Sequence, residues 1–184
     1  NKEAQIQTAP RDSHASNGAV ERCILEVSRQ VRTVVHALES RYPGFKVKTT
    51  SLVYPWAVRH AAWLLTRFLI KSDGKTPYER LRGREYRGEI TEFGEVSHFK
   101  LADDKKGKLD AQSAVGVWLG KSLNSDEHYL GTENGIRRCR SLWRRPEKLR
   151  WSREKLNTIK GVPWQPKGEP TSMLRTDLKG VRGP

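Results

Sequence analysis

From Asn17 to Arg41 the apolar residues Val20, Ile24, Val27, Val31, Val34, Val35 and Leu38 recur at steps of three and four. An α-helix gathers such a series into one stripe, here about six turns long. The opposite face carries Arg22, Arg29 and Arg32, so one side must be buried and the other left in water. Asn17 and Gly18 supply the entry turn and cap, and Tyr42-Pro43-Gly44 ends the helix. Cys23, beside apolar neighbours, reads as a buried small hydrophobe.

A second helix is predicted to start near Pro55, a residue suited to a first helical position because its missing N–H costs nothing there. Trp56, Ala57, His60, Ala61, Trp63, Leu64, Leu65 and Phe68 make it apolar around most of its circumference, hence largely buried. His60 in that setting is a core or boundary residue rather than a ligand. Asp73-Gly74 turns the chain, and Thr76-Pro77-Tyr78-Glu79 is a capping box with proline behind the cap. It announces a short helix stopping at Gly83.

After Phe93 the pattern changes. Val96–Leu101, Ala114–Leu119, His128–Gly131 and Ile136–Trp143 are short runs separated by Asp103-Asp104, Gly107, Asn124-Ser125-Asp126 and Asn134-Gly135. Asn134-Gly135 between two such runs predicts a two-residue hairpin. Four or five strands in about fifty residues predict a small antiparallel barrel. Beyond Trp143 a basic amphipathic turn or helix leads into a Pro- and Gly-rich tail after Gly161. The first sixteen residues are polar, with an alternation at Ala4, Ile6 and Thr8 that admits an edge strand.

The 184 residues suffice for one ordinary domain or two small ones, and 35% hydrophobic content implies that part of the chain is extended. A net charge of +14 favours polyanions through long-range attraction and counterion release, and a merely soluble basic protein shares it. Fourteen Lys and Arg against four acids between Arg137 and Arg182 give that segment a net of +10. Arg137, Arg138, Arg140, Arg144, Arg145, Lys148, Arg150, Arg153 and Lys155 are interleaved there with Trp143 and Trp151. Arginines make bidentate phosphate contacts, while the tryptophans either stack on bases or, as we read Trp143, anchor the segment. No base-reading module is present, so binding should be largely insensitive to sequence. Cys23 and Cys139 lack any metal-ligand spacing, which argues against a disulfide framework or zinc module and fits a reducing compartment. The longest apolar stretch, Ala61–Ile70, is interrupted by Thr66 and Arg67 and too short to span a membrane. The chain does not open with Met and shows no signal peptide, as expected of a processed product or a fragment.

The run Ser16-Asn17-Gly18-Ala19-Val20-Glu21-Arg22 resembles the signature around the third catalytic carboxylate of retroviral and retrotransposon integrases. Trp56 to Arg67, Lys75-Thr76-Pro77-Tyr78-Glu79-Arg80-Leu81-Arg82-Gly83, Phe93-Gly94, Gly107-Lys108-Leu109-Asp110 and Gly116-Val117-Trp118-Leu119-Gly120 follow in an order similar to copia-type retrotransposon polyproteins. The resemblance covers roughly residues 13–145. It implies an α+β chain: the closing helices of an RNase H-like core (1–72), a linker with a short helix (73–92), a small SH3-like antiparallel barrel (93–145) and a basic, partly disordered tail (146–184). It also implies DNA integration in a nucleus or a cytoplasmic virus-like particle. The remainder of the polyprotein, or further copies of the chain, would be partners besides DNA.

Integrases join DNA by in-line attack on a phosphodiester, using two Mg²⁺ ions held by two aspartates and a glutamate. By resemblance Glu21 is the third ligand, in a first helical turn whose dipole favours negative charge. Asn17 either caps the helix or, as the family implies, touches DNA at the mouth of the site. Arg22, Arg29 and Arg32 are DNA contacts or a solvated face, the latter favoured for Arg22. Both aspartates belong upstream, where Glu3 and Asp12 are the sole acids and Asp12 reads as solvated loop. A lone glutamate cannot hold two metals, so the chain should be catalytically incomplete by itself. Two other readings are open: a basic DNA- or RNA-binding protein without an enzymatic parent, or a helical hairpin that docks a partner.

Overall fold

The computed structural model describes residues 14–100 and 113–167. The helices are α1 (His14–Ser40), α2 (Val53–Phe68), α3 (Pro77–Arg82) and α4 (Arg153–Asn157). The strands are β1 (Val96–Lys100), β2 (Ser113–Lys121), β3 (His128–Thr132), β4 (Gly135–Cys139) and β5 (Leu142–Arg144), with a 3₁₀ turn at Glu147–Leu149. The chain is thus α+β.

Helix α1 begins ahead of Asn17 and Gly18, which lie inside it rather than at its cap. Its stripe packs only in the second half, where Val31, Val34 and Leu38 are buried and Val27 and Val35 partly so. Val20 and Ile24 lie on the same stripe but are each 60% exposed, because the first half of the helix runs past the edge of the core. Cys23 is therefore exposed, not the buried hydrophobe expected. Helix α2 starts two residues before Pro55, which still falls in the first turn, where an N–H has no helical acceptor. The capping box of α3 forms as predicted: Glu79 N donates to Thr76 Oγ1 (3.1 Å), and Thr76 N to Glu79 Oε2 (2.7 Å). Gly83 closes that helix in the left-handed region.

The strands form one antiparallel sheet in the order β4-β3-β2-β1-β5. The run Ile136–Trp143 is split at Arg140-Ser141, so β5 leaves β4 and crosses the sheet to pair with β1. Pairing of Thr132 with Gly135 makes Glu133-Asn134 the turn, one residue earlier than the sequence suggests. Gly135 takes the left-handed position after it, at φ 95°. Among the described residues the outer strands β4 and β5 each pair on one side only, so the sheet is open where a closed barrel was expected. The segment after α4 meets the free edge of β4, where Ile136 N donates to Pro166 O (2.8 Å), and the end of β3, where Lys160 N donates to Thr132 O (3.1 Å).

Helix α2 lies on the sheet, and a register shift between Trp118 and Gly120 brings β2 up to it. Gly120, at φ 116°, approaches so closely that a Cβ there would lie 3.1 Å from His60 Nδ1. Trp56, Ala57 and Ala61 share one buried cluster with Leu38 of α1, with Val117, Trp118, Leu119 and Tyr129 of the sheet, and with Leu156 and Ile159. The Trp56 indole also donates to Gly161 O (3.0 Å). Each fully buried tryptophan withdraws on the order of 200 Å² from water, roughly 5 kcal/mol of apolar transfer. That is enough to pull residues 153–162 onto the core despite their charge.

Glu95, wholly buried at the head of β1, accepts two bonds from Arg144, Nε at 2.8 Å and Nη2 at 2.6 Å, with Arg150 Nε 3.6 Å away. Removing the partner of a buried charge is costly, although the half-exposed Arg144 side chain keeps part of its hydration. Arg144→Met should lower the unfolding free energy by about 2–3 kcal/mol. Urea titration of the Arg144→Met, Glu95→Gln and double variants checks this. A double variant that is less stable than Arg144→Met would contradict it.

Burial pushes His60 and His128 down to about 4 from 6.5; Lys121 adds to the effect on His128. Between those values the unfolded chain binds more protons, so stability is intact above pH 6.5 and is lost as pH falls toward 4. His60 alone contributes about 3 kcal/mol to that loss. Denaturation midpoints across this window should fall steeply, and less so in His60→Phe. Equal slopes would mean that the His60 ring is not held neutral by its packing.

Candidate nucleic-acid interface

Glu21, Arg22, Arg29 and Arg32 are exposed on α1. At 3.6 residues per turn they fall within an arc of about 100°, opposite the stripe that buries Val31, Val34 and Leu38. Glu21 ends the second turn of the helix, because α1 starts at His14, so the dipole argument for a first-turn carboxylate does not apply to it. Among the described residues no three His, Cys, Asp or Glu side chains gather as a metal site, at Glu21 or elsewhere. Asn17 lies within α1; its side chain is outside what the structure describes.

The C-terminal arginines divide by what they touch. Arg144 and Arg150 hold Glu95, and Arg150 Nε also donates to Arg145 O (2.7 Å). Arg145 Nη1 donates to Leu149 O (3.1 Å), fastening the 3₁₀ turn. These three are built into the fold. Arg137, Arg138, Arg140 and Arg153 are exposed and have no carboxylate partner among the described residues. Arg137 lines a cleft of about 240 Å³ with Lys155 and Thr158, beside the β3–β4 turn. Arg153 lies over the Phe45 ring at 5.5 Å, at the far end of the helical layer.

Arg138 packs over Tyr129 at 5.3 Å, and a second guanidinium on that ring is Arg59 of α2, at 4.6 Å. Arg59 Nη2 also donates to the Tyr129 hydroxyl (2.8 Å), and its Nε has no partner among the described residues. The pair of guanidiniums on one tyrosine joins α2 to the cationic strand β4. Sequence reading missed Arg59 because nothing in the helix pattern shows which arginine meets the sheet. Trp151, not Trp143, is the anchor: its ring meets Tyr42 edge-on at 5.8 Å under Arg41. Trp143 on β5 is 51% exposed and free to stack.

No helix among the described residues is long and apolar enough to cross a membrane. No protein-family model, curated protein or solved structure matches this chain.

Proposed function

We propose that this chain is part of a retroelement integrase, contributing Glu21 and sequence-independent nucleic-acid binding to DNA integration. Binding runs through the cationic surface of β4 and α4. The observation that carries it is the division among cations. Arg41, Lys46, Lys71, Arg80, Lys121 and Arg144 all meet carboxylates within 3 Å, whereas Arg137, Arg138, Arg140 and Arg153 meet none among the described residues. Cations left unpaired on the surface of a folded chain raise the local potential and release counterions when a phosphate backbone arrives.

The integrase reading draws further support from α1. Its exposed stripe at Val20 and Ile24 is what a helix shows when further sheet belongs against it, as in an RNase H-like core. Its opposite face presents Glu21 beside Arg22, Arg29 and Arg32. The return of β5 to pair with β1 is consistent with an SH3-like meander. Mg²⁺, held jointly by Glu21 and two aspartates, would supply Lewis-acid stabilisation of the phosphoryl oxygens.

The structure also dictates how to test the binding. Truncation after Trp143 would remove Arg144, Leu156 and Ile159 and so dismantle the core. Charge reversal of Arg137, Arg138 and Arg140 keeps that segment, at the cost of one contact on a core ring, that of Arg138 on Tyr129. If about five cations engage phosphates, log affinity for duplex DNA should fall against log salt with a slope near −4 to −5. The triple Glu variant should flatten that slope by roughly 3, and two unrelated duplexes should bind alike. Anisotropy titrations at several salt concentrations check this. An unchanged slope would place the contacts elsewhere and sink the assignment to β4.

A further inference from the structure

A second cationic site lies away from β4, between α2, the segment after α3 and the β2–β3 turn. Arg67, Tyr78, Arg82, Arg84, Tyr86 and Asp126 are among the residues around a cleft of about 640 Å³. That volume is within the roughly 300–1,000 Å³ usual for small-ligand sites. Arg67 is 4% exposed, and its guanidinium packs on three rings: Trp63 at 4.4 Å, with Tyr78 and Tyr86 each at 5.3 Å. Nη2 donates to Leu123 O (3.0 Å), and among the described residues Nε has no acceptor and no carboxylate pairs with this side chain. A buried guanidinium without an anion is expensive, and burial holds Arg67 below the ordinary guanidinium range. Arginine nevertheless stays charged.

The acids of the cleft are already engaged. Asp126 accepts from the Lys121 ammonium (2.9 Å) and from the Tyr86 hydroxyl (2.8 Å), and Glu85 lies 3.7 Å from Arg87. Arg82 and Arg84 are exposed and have no carboxylate partner among the described residues. Asp126 sits at φ 57°, a conformation few side chains adopt, and its two bonds hold the wall in place. Gly88 allows this closeness, since a Cβ there would collide with the Tyr86 hydroxyl.

We propose that this cleft binds a phosphate group, carried by a free nucleotide or by a nucleic-acid strand. Arg67 forms its floor, and Arg82 and Arg84 close over the anion. A phosphate supplies the acceptors these guanidiniums lack and matches their fork geometry. The site is independent of the β4 surface, and its test uses a chain from which that surface has been removed.

The experiment is a calorimetric titration of the Arg137→Glu, Arg138→Glu, Arg140→Glu variant with three probes: thymidine, thymidine triphosphate and an oligothymidylate without terminal phosphates. Saturable one-to-one binding of the triphosphate alone would identify a nucleotide site. Saturable binding of the oligothymidylate would identify a strand-phosphate site. Thymidine should not bind in either case. Adding Arg82→Glu and Arg84→Glu should weaken binding at least tenfold while leaving the thermal midpoint unchanged, as both side chains are exposed. Arg67→Lys, which keeps the charge but not the fork, should weaken it as well. Failure of both phosphate probes to saturate, or binding indifferent to the Arg82 and Arg84 reversals, would overturn the proposal.

Discussion

The approach of Gly120 to the His60 ring sets how closely α2 can lie on the sheet. The shifted register at Trp118–Gly120 lifts the strand toward the helix, and the missing Cβ lets it arrive. His60 is then stacked on Trp63 and Phe93 and meets Trp118 edge-on, while the Trp118 indole donates to His128 Nδ1 (3.0 Å). Residues from both helices, three strands and the segment after β5 are in one cluster around this contact. A side chain at Gly120 would be strained by its φ and would press on the imidazole at once.

From that docking follows the sorting of the charges. Once α2 and the 146–162 segment cover their side of the sheet, the buried head of β1 needs a cation, and Arg144 and Arg150 supply it to Glu95. The arginines of β4 face outward at the sheet edge and stay unpaired among the described residues. Arg67, at the other end of α2, is drawn under Tyr78 and Tyr86. The same basic composition thus yields fasteners, an open surface and a cleft, according to which acids the fold brings within reach.

Local chemistry was legible in the sequence wherever neighbours decide it. The Thr76 capping box, the buried face of α2 and four of the strand positions depend on contacts a few residues apart. The hairpin turn falls one residue before Asn134-Gly135, because a glycine with positive φ fits both a turn position and the bulge after it. What long-range contacts decide was not legible. Cys23 and Val20 repeat the apolar spacing of Val31 yet stay exposed, and periodicity cannot say where the core stops. Arg144 and Arg140 look alike in sequence, but only one lies opposite Glu95. Arg59, Arg67 and the Tyr86–Asp126 contact join segments tens of residues apart, and no spacing announces them.

Native-state amide exchange tests most directly whether α2 and the sheet are one cooperative core. The amides of Trp56–Leu64 in α2 and Val117–Lys121 in β2 should open with the same free energy, equal to that of global unfolding. Those of Val20–Cys23 should exchange far faster, since the side chains of that turn are exposed. If α2 exchanges at low denaturant while β2 stays protected to the global limit, helices and sheet are separate units and the account built on their contact fails.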